Sequence, residues 1–65
     1  MTPRAKECAA RAEQVLSLYV DAGVSDEEGA VRDLLADLRH YCDANGLSFA
    51  TEDRCAYRNY VEELG

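Results

Sequence analysis

Ser25 to Leu47, SDEEGAVRDLLADLRHYCDANGL, decides the reading of this chain, because it holds the most regular helix pattern and most of the excess negative charge. Val31, Leu34, Leu35, Leu38, Tyr41 and Cys42 recur at i, i+3, i+4 and i+7, the spacing of one face of an α-helix. Ser25 and Glu28 have the spacing of a capping box, in which hydroxyl and carboxylate each satisfy a free backbone N–H, and Asp26 and Glu27 complement the positive end of the helix dipole. Asn45-Gly46 supplies the stop, with Leu47 placed to fold back over Cys42. The stretch therefore predicts a helix over 26–45. Gly29 lies inside it at a cost of roughly 1 kcal/mol against alanine, so a close helix crossing is expected there.

Upstream, Thr2-Pro3 reads as an N-cap followed by proline at the first helical position, where the missing N–H costs nothing. Cys8, Ala12, Val15, Leu16, Tyr19 and Val20 or Ala22 then form one helical face over 3–22. Gly23 is placed to end that helix in the left-handed conformation, with Val24 folding back in a Schellman cap. Downstream, either Ser48 or Thr51 can cap a third helix, expected over 49–63. Ala56, Tyr57, Tyr60, Val61 and Leu64 are its expected buried stripe, and Phe49 is expected to plug the end of the core from the preceding turn. With no strand-like alternation, repeat or linker, residues 1–65 predict a single all-α domain, a compact three-helix bundle.

The chain has 65 residues, and a domain of that size buries only about 60% of the surface its unfolded form exposes. Met1 to Val24 balances Glu7, Glu13 and Asp21 against Arg4, Lys6 and Arg11, so the formal charge of -6 arises beyond Ser25. Acids repel the phosphates that supply most non-specific affinity, so nucleic acid is not an expected ligand. No window approaches the ~18 apolar residues of a membrane span, and no secretory leader is apparent. Three cysteines without a CxxC pair fit a reducing cytoplasm rather than a disulfide framework.

Catalytic and metal constellations are not expected, and neither is a cofactor. His40 and Cys42 are two apart on a helix and diverge, while Cys8 and Cys42 sit among aliphatic residues as small hydrophobes. A helix-turn-helix reading would place Arg54 and Arg58 on the third helix, but Glu52, Asp53, Glu62 and Glu63 surround them. The acids are the more informative set. Asp26, Glu27, Glu28, Asp33, Asp37 and Asp43 are offset on the second segment only by Arg32 and Arg39, and Asp33 and Asp37 are one i, i+4 step apart, ~6 Å along the axis. That spacing is close to the phosphate repeat of a nucleic acid strand, and both aspartates are expected to point away from the leucine seam. Glu52 and Asp53 extend the acidic surface if the third helix begins on the same side.

Asp33 to Phe49, DLLADLRHYCDANGLSF, followed by a helix holding Ala56 and Tyr60, resembles short open reading frames of phages and mobile elements, and the whole chain is similar to small acidic phage-type anti-CRISPR proteins, most of all inhibitors of type I-C systems. The resembling part is about the C-terminal half, and its motif is one of packing. The resemblance implies an inhibitor that docks on a type I CRISPR surveillance complex (Cascade) and blocks recognition-motif and target DNA binding. Its partner would be the basic DNA-binding groove, with the Cas8-type subunit as the expected contact. Asp26, Glu27, Glu28, Asp33, Asp37, Asp43, Glu52 and Asp53 are the candidate contact residues on grounds of charge. The competing expectation is a phage accessory or antitoxin-like interaction module, without DNA mimicry, that binds through exposed members of Tyr19, Tyr41, Tyr57 and Tyr60. Either a monomer or a small homo-oligomer is compatible with so short a chain.

Overall fold

In a computed structural model describing residues 1–65, the chain is an all-α three-helix bundle of α1 (Pro3–Asp21), α2 (Ala30–Ala44) and α3 (Phe49–Leu64), each touching the other two. The Thr2 hydroxyl caps α1 by accepting from the Ala5 N–H at 3.1 Å. Gly23, at φ 73°, ends it: the Gly23 N–H donates to the Val20 carbonyl and the Val24 N–H to that of Tyr19, the paired bonds of a Schellman motif. The same device closes α2, where Gly46 has φ 70° and the Leu47 N–H donates to the Cys42 carbonyl at 2.9 Å. Ser48 rather than Thr51 caps α3, accepting from the Thr51 N–H at 3.3 Å.

The start of α2 differs from the sequence expectation. Regular helix begins at Ala30, not at residue 26, and the Ser25/Glu28 box does not form. Instead the Asp26 carboxylate accepts from the Gly29 N–H at 2.7 Å, closing a separate turn, while the Ser25 hydroxyl donates to Asp33. Gly29 marks no helix crossing. A Cβ there would lie 3.0 Å from Asp26 Oδ1, so the glycine makes room for the capping carboxylate.

A few side-chain contacts join the helices. The second half of α1 reaches α2 through the Tyr19 hydroxyl, which donates to Asp37 at 2.7 Å. The second half of α2 reaches the start of α3 through the Arg39 guanidinium, 4.3 Å from the Phe49 ring centre. The last turns of α3 return to α1 through Cys8 and Glu63. The result is a flattened, three-sided body of 34 × 29 × 15 Å.

A single layer of helices has little interior. Only Ala30 and Cys42 are buried. The expected buried stripe of α3 is uncovered, with Tyr57, Tyr60, Val61 and Leu64 exposed at 66%, 55%, 48% and 48%, and Phe49 is a half-buried first residue of α3 rather than a plug in the turn. Periodicity identifies a helix face that needs cover. It carries no information on what provides the cover.

Candidate interaction surface

The eight acidic candidates fall at two corners of the layer. At the α1–α2 corner, Asp26 is held as the cap of the linking turn, and Asp33 and Asp37 accept from Ser25 and Tyr19. Asp33 is therefore tied to the linking turn and Asp37, still exposed, to α1. Glu27 lies beside them over a groove floored by Leu16, Val20 and Ala30, and Glu28 is exposed. At the α2–α3 corner, Glu52 and Asp53 border a shallow cleft with Leu38, Cys42 and Phe49, and Asp43 is exposed in the last turn of α2.

Two acids that belong with the first corner were not among the sequence candidates. Glu13 and Asp21 of α1 line the same groove as Glu27. Their charge was masked by averaging over Met1 to Val24, although its bases end at Arg11 and two of its three acids follow. The third corner, where α3 returns to α1, is mixed: Arg4 and Arg11 share a polar groove with Glu7 and Glu63. Charge is thus sorted along α1, basic at its start and acidic towards its end.

Two hydroxyl and thiol protons tie the corners together. The Tyr19 hydroxyl is held above its ordinary titration range, first by its hydrogen bond to Asp37, then by burial and by the Asp37 and Asp33 charges. The Cys8 thiol, half-buried rather than enclosed, donates to Glu63 at 2.7 Å, and that bond, followed by burial and the Glu63 charge, raises its pKa. A thiol so placed is a poor nucleophile, since the thiolate is the reactive form. Cys42 is buried and Cys55 exposed, all three thiols are free, and no three His, Cys, Asp or Glu side chains converge as a metal site. No helix is long and apolar enough to cross a membrane.

Comparison with protein-family models, with curated proteins and with solved structures returns no match to the chain.

Proposed function

We propose that this protein acts by binding, and that its two acidic corners dock on a basic protein surface which otherwise grips nucleic acid. The observation that carries the reading is the exposure of Glu27, Glu28, Asp43, Glu52 and Asp53 on a chain of formal charge -6. Like charges at such density oppose folding of a small domain, and a basic partner relieves that repulsion while speeding encounter through electrostatic steering. Asp33 and Asp37 play a supporting part here, each giving one oxygen to a donor within the chain.

The resemblance to type I-C inhibitors gives the partner to try first, the surveillance complex of such a system, with its DNA-binding groove as the docking surface. The test is a gel-shift competition between this protein and a target duplex for that complex at two salt concentrations. Inhibition should be stronger at low salt, because screening shortens the reach of surface charge. The pairs Glu27→Lys with Glu28→Lys, and Glu52→Lys with Asp53→Lys, should each weaken it while keeping the helical spectrum. A shifted band untouched by a large excess of the protein would remove this partner.

A second reading follows from the exposure of Tyr41 and Tyr57 at 59% and 66%. Tyrosine is enriched in protein interfaces, and a module that bound through these rings would do so with little salt dependence. Binding that survives both lysine pairs and is indifferent to salt would favour it.

A further inference from the structure

The layer has two unlike broad sides, and α1 shows which is which. Ala9, Leu16 and Val20 share one arc of its helical wheel and line the clefts where Leu64 of α3 and Ala30 of α2 approach. Arg4, Glu7 and Arg11 share the opposite arc and line a polar groove beside Glu63. On α2, Asp37 touches α1 and Arg39 touches α3 from opposite flanks. The arc between them on the Ala30 side carries Val31, Leu34, Leu38 and Tyr41, and the reverse arc carries Arg32, Ala36 and Asp43. On α3, Tyr57 and Val61 fall beside Leu64, with Cys55, Asn59 and Glu62 on the reverse. One broad side is therefore apolar across all three helices, and the other is polar.

The area left open matches what a second copy would cover. A folded monomer of 7.2 kDa should expose ~4,100 Å² by the scaling of surface with mass, whereas this chain exposes 5374 Å². The excess is about 1,250 Å² per chain, or about 2,500 Å² for two chains, inside the range of obligate homodimers and above that of standard transient interfaces. The deficit is one of core. Domains are built from two packed layers, and a chain with two buried residues, three free cysteines and no converging metal ligands has only one. The second layer must accompany the chain wherever it folds, which a further copy of itself does.

We infer that this protein is a face-to-face homodimer, in which the apolar side bearing Val31, Leu38, Tyr41, Tyr57, Val61 and Leu64 packs on the same side of a second copy about a two-fold axis. Charge fits this pairing. The exposed acids of α2 and the arginines of α1 lie off the apolar side, and the acids on it are Glu13 of α1 and Asp53 of α3, so two chains of charge -6 meet where they are least charged. The inference draws on the opposite chemistry of the surface from the partner proposed above, and the two surfaces adjoin where Leu38 lines a cleft with Glu52 and Asp53.

Sedimentation equilibrium of the full chain, with thermal unfolding followed from micromolar to millimolar protein, tests it. The expected result is a species of twice the chain mass whose unfolding midpoint rises with concentration, as mass action requires of a coupled dimer. Tyr57→Glu with Val61→Glu should raise the concentration needed for half-association by about tenfold or more, since each charge enters the interface twice. Ala36→Lys, on the reverse side of α2, should leave association unchanged. A monomer at every concentration with a concentration-independent midpoint would overturn the inference, as would a trimer or larger closed assembly. So would a dimer that Ala36→Lys disrupts and the double glutamate variant does not.

Discussion

Replacing Asp26 with alanine tests the turn that leads into α2. Its carboxylate accepts from the Gly29 N–H at 2.7 Å, and loss of such a cap costs about 1 kcal/mol, within a range of about 0.5–2. In a domain of this size that corresponds to a fall in Tm of about 4–8 °C, read by far-ultraviolet circular dichroism at one fixed protein concentration. Glu28→Ala, which a capping box would make equally costly, should change little, because the box is absent. The sharper test is the coupling of Asp26 to Gly29. Gly29 has an ordinary helical backbone, φ -89° and ψ -15°, so alanine there should gain about 0.4–1 kcal/mol through the unfolded state. In the parent, however, the new Cβ meets Asp26 Oδ1 at 3.0 Å and displaces the cap, which cancels or reverses the gain. With Asp26→Ala already in place the obstacle is gone, and Gly29→Ala should stabilise by the full amount. Additivity of the two substitutions within about 0.3 kcal/mol, or a Glu28→Ala cost equal to that of Asp26→Ala, would refute this account of the helix start.

Other outcomes follow from single residues. Gly23→Ala and Gly46→Ala should each cost about 1–2 kcal/mol in chemical denaturation, because φ values of 73° and 70° strain an L-residue although nothing lies within 4 Å of the added Cβ. Tyr19 has its pKa raised by its bond to Asp37, so its contribution is present at neutral pH and is lost as pH rises past the unfolded tyrosine value and through the folded one. Stability of the parent measured into the alkaline range should therefore fall more steeply than that of Tyr19→Phe, and parallel curves would contradict the bond. Alkylation followed by mass spectrometry should label the exposed Cys55 first, then Cys8 with its raised pKa, and the buried Cys42 last.

The parts of this fold legible in the sequence are those settled within four or five residues. Thr2 before Pro3, Gly23 and Asn45-Gly46 mark helix ends because a cap bonds to its own neighbours, and all three hold in the structure. The start of α2 was harder, since the spacing of a Ser25/Glu28 capping box is present but the box does not form. In the structure Asp33, eight residues from Ser25, takes the serine hydroxyl, and Asp26 makes its own bond to the Gly29 N–H. Asp33 and Asp37 show a similar division. Their spacing places them on one flank of α2, but only the approach of α1, with Tyr19 against Asp37, shows that this flank borders a neighbouring helix. The apolar stripes were legible as well, while the geometry that leaves Tyr57 and Val61 open was not, because the way three helices lean on one another writes no periodic signal.

The open apolar side and the acidic corners answer different demands, although they adjoin at Leu38 and Asp53. A chain with so small an interior cannot spend its apolar side on a transient partner without losing its fold each time the partner leaves. A partner surface built from acids at the corners has no such cost, since those side chains stay solvated in the free protein and exchange water for a basic groove on binding. Pairing by the apolar side also presents each acidic corner twice on one rigid body. Two corners held together engage a long basic groove with the advantage of high effective concentration, so modest affinity at each suffices for tight binding. The two proposals thus reinforce one another in function while resting on separate observations: substitutions that split the pair should weaken partner binding even where every acid is intact.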